Sequence, residues 1–177
     1  MKVTLLKYPE AQDLALVKKA VWVTMGKRGE LKNLPSDALL HSLLVARHSP
    51  IRELKFVFLI EDIPSNTATH FCRHVHAQPY VSSLRNDRQD KLDGDLAPRN
   101  TPVDMMLSVN AEELMTIANK RLCNLAAENT RKVTREMCRL AEAAFPPIRG
   151  CLIPMCQYHG GVCHEIHSCG KCEEDKT

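Results

Sequence analysis

Residues 54–60 read Leu-Lys-Phe-Val-Phe-Leu-Ile and are apolar on both alternating faces. A strand of this kind cannot leave one face in water, so it predicts a buried strand that other elements must cover. The flanking segments supply those elements. Lys2 to Lys7 alternates apolar and polar residues and predicts a first strand, which Pro9 ends. Ala11 to Met25 carries Leu14, Leu16, Val17, Ala20 and Val21 at helical spacing. Ser36 or Asp37 caps a second helix through about Ala46, and Ser65 or Asn66 a short one to about His74. Residues 78–102 hold Pro79, Asn86, Asp87, Gly94, Pro98 and Pro102 and read as a long polar loop. Asn110 and Glu113 have the spacing of a capping box before a helix through Leu122. A last helix spans about Ala126 to Ala144, stopped by Pro146 and Pro147. Strands and helices in this order predict an α+β fold.

A chain of 177 residues with 44% hydrophobic content has enough apolar material for one packed domain. No run of about 18 apolar residues occurs, so no membrane span is expected. The segment Met1-Lys2-Val3-Thr4 lacks an apolar signal core, so a cytoplasmic protein is expected. The net charge of +3 says little about nucleic acid. The anomaly is cysteine: five of the eight, Cys151, Cys156, Cys163, Cys169 and Cys172, crowd the end of the chain. Without an export signal, this points to thiols or metal and away from disulfides.

Chemistry concentrates in residues 70–85, His-Phe-Cys-Arg-His-Val-His-Ala-Gln-Pro-Tyr-Val-Ser-Ser-Leu-Arg. Arg73 and His74 close the short helix, and Ser83 and Arg85 follow on the loop. Guanidinium groups offer paired donors, so two arginines and a serine hydroxyl suit phosphate oxygens. The plain alternative is a solvated basic turn.

This order resembles the flavin-dependent thymidylate synthases, whose signature is Arg-His-Arg, seven residues, Ser, and an Arg two further on. Here Arg73-His74-Val75 precedes Ser83 and Arg85 at that spacing. His48-Ser49-Pro50 with Phe56-Val57-Phe58 is similar to the family's upstream segment, and Ser108 to Met115 with Arg121 to its late helix. The resemblance covers about residues 36–145. It implies a mixed helix and antiparallel-sheet domain over residues 1–148, acting as a homotetramer whose sites draw on several subunits. It also implies methylation of dUMP by methylenetetrahydrofolate, with hydride from reduced FAD and NADPH as the reductant of the flavin. Ser83 and Arg85 would hold the dUMP phosphate, with Arg99 as a second phosphate-binding arginine and His70 near the nucleotide. Arg73, His74, Asn110 and His48 would contact flavin. Arg121 would contact and polarise the uracil as the catalytic cation.

Val75 stands where the signature has its second Arg, Val81 where a Glu is usual, and His70 where a Gln is common. The stretch from Arg85 to the late helix is shorter than in the family. These departures motivate an alternative: a related flavin or non-flavin enzyme acting on another pyrimidine nucleotide. Residues 149–177 form a separate Cys/His-rich tail, with His159, His164 and His167 among the five cysteines. Zinc held by four of these cysteines is the expectation, an iron–sulfur cluster the rival, and free thiols the plain reading. A third functional reading joins this tail to the basic segment Arg73 to Arg88 as a zinc-stapled nucleic-acid-binding module. Few aromatic residues are present to stack bases, so nucleic acid is the least favoured partner.

Overall fold

A computed structural model describes residues 1–30, 32–88 and 93–174. Residues 89–92 of the expected loop and 175–177 of the tail lie outside the described residues. A four-stranded antiparallel sheet is built from β1 (Lys2–Lys7), β2 (Lys55–Pro64), β3 (Gln78–Val81) and β4 (Pro102–Asn110), in the order β1-β2-β4-β3. Six helices accompany it: α1 (Ala11–Thr24), α2 (Asp37–Val45), α3 (Ser65–Cys72), α4 (Ala111–Arg121), α5 (Glu128–Ala144) and the single turn α6 (Met155–Tyr158). Short parallel strands β5 (Val162–Cys163) and β6 (Glu173–Glu174) pair in the tail. None of the described helices is long and apolar enough to cross a membrane.

The sheet lays one face on the helices. Phe56, Phe58 and Ile60 of β2 and Met105, Leu107 and Val109 of β4 are buried there. Phe58 stands opposite Leu107 in the ladder. Phe56 stacks on Phe58 with centroids 6.4 Å apart and meets Phe145 edge-on at 6.1 Å. Leu114, Ile117 and Ala118 of α4 and Val133, Met137 and Ala141 of α5 complete this core. The β2 expectation is corrected in one respect. Its second face, Val57 and Leu59, is only half-buried, because the helices of one chain cover a single side of the sheet.

β3 contradicts the expected loop over 78–102, and β4, which begins at the loop's last residue, Pro102, is a strand that the sequence reading did not name. β3 tolerates Pro79 because it is an edge strand, paired only with β4. β2 is bulged between Ile60 and Ile63. Asp62 sits in the bulge at φ 55°, and its N–H donates to Asp104 Oδ1 at 2.8 Å. A short polar side chain tolerates that left-handed conformation better than most residues.

Candidate active site

Three helices converge on one polar cluster. α3 places His70 near its end and runs out at Arg73, and a tight turn then carries His74 inward. α4 begins at Asn110, whose side chain accepts from the Glu113 N–H at 2.9 Å, and ends at Arg121. Asn110 thus caps the helix as expected, but the Glu113 carboxylate turns to His74. Its Oε1 lies 2.8 Å from His74 Nδ1, and both side chains are buried. Arg121 Nε donates to His74 Nε2 at 3.1 Å, and a terminal N–H of Arg121 donates to the His70 carbonyl at 2.9 Å. From α5, Thr130 meets His70 Nδ1 at 2.8 Å.

These contacts fix the protonation of His74. An arginine N–H can only donate, so His74 Nε2 must offer its lone pair. The ring proton then sits on Nδ1 and is donated to Glu113. The buried imidazole is neutral, and the buried carboxylate has a donor.

Cations dominate the mouth of this cluster. Burial lowers the pKa of His70, and Arg121, Arg73 and Arg99 lower it further. Arg121 is itself pushed down, first by burial and then by Arg73. Among the described residues, no carboxylate lies within ion-pair distance of Arg73, Arg99 or Arg121. Arg99 is brought in by its backbone: its carbonyl accepts from Ser65 Oγ at 2.8 Å and from the Asn66 N–H at 3.0 Å. Uncompensated guanidinium groups at a partly open surface suit an anionic ligand.

The remaining predicted residues lie elsewhere in the chain. Ser83 and Arg85 follow β3, on a loop that lines a shallow cavity with Asn86, Asp87, Gly94 and Asp95. The Arg85 N–H donates to Ser83 Oγ at 3.2 Å, and its guanidinium grips Asp87 at 2.9 and 3.1 Å. His48 is exposed on a third cavity, beside Met25, Leu43 and Pro50. Sequence reasoning missed Glu113 and Thr130 as parts of the cluster. Glu113 and Arg121 stand eight residues apart on one helix and so share a face, which was the available signal.

In the tail, Cys156, Cys163, Cys169 and Cys172 line one cavity with Cys123, His159 and His164. Cys151 does not line it and is packed into the main core. The Cys172 thiol is pushed up to about 11, first by its hydrogen bond with Cys156, then by desolvation and the neighbouring thiols. As they stand among the described residues, no three Cys, His, Asp or Glu side chains are grouped so as to hold a metal ion. The expected zinc site of four cysteines is therefore not assembled among the described residues.

No family model matches the chain, and no curated protein matches it. Solved structures do match. A UMP/dUMP methylase, PolB, from Streptomyces cacaoi bound with 5-Br dUMP is 18% identical with a TM-score of 0.65, covering 85% of this chain and 93% of its own. Thymidylate synthase X from Helicobacter pylori with FAD and dUMP is 16% identical with a TM-score of 0.65, covering 86% and 99%. A second structure of the Helicobacter pylori flavin-dependent thymidylate synthase, complexed with FAD and dUMP, is 18% identical with a TM-score of 0.59, covering 85% and 95%. Identities this low speak to architecture, and the architecture of this chain is the flavin-dependent thymidylate synthase fold.

Proposed function

We propose that the chain is a flavin-dependent methyltransferase that converts dUMP to dTMP with methylenetetrahydrofolate. The observation that carries this reading is Arg121, clamped between His74 and the His70 carbonyl beside Arg73 and Arg99, which have no carboxylate partner among the described residues, on a fold shared with a thymidylate synthase solved with FAD and dUMP. Bound FAD, reduced by NADPH, would supply the hydride. Arg73 would hold the flavin, with Asn110 offering its side-chain amide and His48 a contact from α2's end; His74, buried with both ring nitrogens taken by Glu113 and Arg121, would act there through its hold on Arg121. Arg121 keeps a fixed positive charge beside the pyrimidine carbonyl, where charge grows as hydride reaches the ring. Arg99 and His70 face the nucleotide.

Arg85 lines a cavity apart from Arg121, with Ser83 two residues before it, which is the expected division if one subunit's loop completes another's site in a homotetramer. Binding of a phosphate by Arg85 then requires it to release Asp87, an exposed pair that costs little to open. Val75 is exposed where the resemblance has an arginine, which leaves the flavin phosphates to Arg73 and its neighbours.

The test is oxidation of reduced FAD by the purified protein under anaerobic conditions, with dUMP and methylenetetrahydrofolate present. Flavin oxidation that needs both supports the reading, and unchanged flavin defeats it. A binding screen over dUMP, UMP, dCMP and dTMP separates the alternative substrate: a preference for a nucleotide other than dUMP favours the related-enzyme reading.

The tail carries a second proposal. Cys156, Cys163, Cys169 and Cys172 take one zinc ion that itself draws them together, since the thiols must give up their protons to bind and the resulting thiolates repel one another until the metal compensates their charge. One equivalent of zinc by elemental analysis, lost on replacing Cys163 and Cys172 with serine, supports it. Metal-free protein with an intact tail opposes it, and a visible charge-transfer band replaces zinc with iron–sulfur.

A further inference from the structure

The Glu113 carboxylate is buried. Asn110 caps the helix by accepting from the Glu113 N–H at 2.9 Å, but the Glu113 side chain turns to His74 instead of reaching back to the Asn110 N–H to complete a capping box. It reaches His74, thirty-nine residues earlier, at 2.8 Å. A buried carboxylate is costly unless a donor meets it, so this pairing needs a reason beyond stability.

The reason lies one bond further on. His74 has two tautomers. With the proton on Nδ1, the ring donates to Glu113 and accepts from Arg121 Nε at 3.1 Å. With the proton on Nε2, a ring N–H would face the Arg121 N–H, donor against donor, and the arginine would have to leave. Glu113 is an acceptor only, so it selects the first tautomer. The second anchor of Arg121 is the His70 carbonyl at the end of α3. With two N–H groups held, the other three have a defined direction.

We propose that Glu113 is a positioning residue: through the tautomer of His74 it fixes the direction in which Arg121 presents its remaining N–H groups to the ligand. The inference rests on the reading of Arg121 as the cation that meets the pyrimidine, and extends it to a residue two helical turns away. It assigns to α4 a rigid unit with Glu113 at one end, Arg121 at the other, and His74 as the spacer between them. Second-sphere carboxylates orient imidazoles in this manner at metal sites, and the logic does not need a metal.

The experiment compares wild type, Glu113→Leu and Glu113→Gln. Leucine keeps volume and removes the acceptor; glutamine retains an oxygen that accepts the Nδ1 proton. Imidazole 15N shifts of His74 read the tautomer directly, without ligand or turnover. The expected result is an Nδ1–H ring in wild type and Glu113→Gln, and loss of that state in Glu113→Leu. In the flavin oxidation assay, kcat is expected to fall about 10- to 100-fold in Glu113→Leu with KM for dUMP changed less than about threefold. Glutamine should restore most of that loss. An Nε2–H ring in wild type overturns the inference, and so does a Glu113→Leu enzyme with wild-type kcat. If Glu113→Leu does not fold, the tautomer of wild type and Glu113→Gln still decides it. If wild type oxidises no flavin with dUMP, the functional reading fails, and the tautomer measurement judges the positioning separately.

Discussion

Replacing Arg121 with lysine keeps the charge and removes the fork. The guanidinium holds His74 Nε2 at 3.1 Å and the His70 carbonyl at 2.9 Å, and leaves three N–H groups for a ligand. Lysine has three donors on one atom and cannot satisfy both anchors while also presenting a directed donor. Two consequences separate by size. Two hydrogen bonds at a partly exposed site are lost, which costs about 1–2 kcal/mol of stability. A donor aimed at developing charge is also lost, which costs about 100- to 1,000-fold in kcat, or roughly 2.7–4 kcal/mol of barrier. The nearby positive charge survives, so affinity for dUMP should weaken less than about tenfold. Anaerobic stopped-flow oxidation of reduced flavin measures the first quantity, and equilibrium dialysis with dUMP the second. A kcat within threefold of wild type refutes the role of the fork. A large loss of dUMP affinity with kcat intact reassigns Arg121 to ground-state binding.

Other perturbations have definite outcomes. Asn119 is buried, takes a hydrogen bond from Arg47 and donates to the Ile153 carbonyl at 2.7 Å; Asn119→Ala should lower unfolding free energy by about 2–4 kcal/mol in urea titrations, and a change under about 0.5 contradicts the clasp. The lowered His70 pKa means the unfolded chain binds its proton more readily. Stability should therefore fall as pH drops below about 6.5, because only the unfolded state gains that proton in this window. A nucleotide phosphate among the arginines offsets their field, so dUMP binding at about pH 6 should take up a proton; calorimetry in buffers of different ionisation enthalpy reads it, and no uptake contradicts the placement. The Cys138 thiol is pushed up to about 12, mainly by burial and then by Glu142. It should resist thiol reagents at pH 8 until the protein unfolds, and labelling of the native protein there would show the core to be open.

The parts that were legible in the sequence were those fixed by near neighbours. Lys2–Lys7 forms the expected strand, with its register against β2 shifting where Leu5-Leu6 breaks the alternation, and Ser36 accepts from the Leu39 N–H as its position promised. β4 was hidden although Val103, Met105, Leu107 and Val109 alternate inward, because methionine, serine and aspartate are weak strand signals beside two prolines. His70, Arg73, His74, Arg99 and Arg121 come together, while Arg85 and His48 line two other cavities and Ser83 sits on the loop beside Arg85. Arg99 could not be placed from the sequence, since its position depends on a carbonyl docking onto residues 65 and 66, over thirty positions earlier. Glu113 was read as a capping residue because local spacing fits that role, and only tertiary packing shows the carboxylate meeting His74.

Pro64 and Pro102 face each other across the ladder that joins β2 to β4. Everything between them is one closed excursion of the chain, tied at its base by the sheet and tied again where the Arg99 carbonyl meets Ser65 and Asn66. In polymer terms, the second knot closes a smaller ring within the first, and that ring holds both α3 and the connection that follows β3. The connection has a clasp of its own, where the Gly94 N–H donates to Asn86 Oδ1 at 2.6 Å. Closure entropy grows only with the logarithm of length, so doubling the length of a flexible connection costs about 0.6 kcal/mol. Chain can thus be added between Arg88 and Asp93 with little effect on the sheet, provided that clasp forms and Arg99 still reaches its two partners. Length variation in this segment is then a freedom that the fold grants at small thermodynamic cost, and the knot at Arg99 is the point at which that freedom stops.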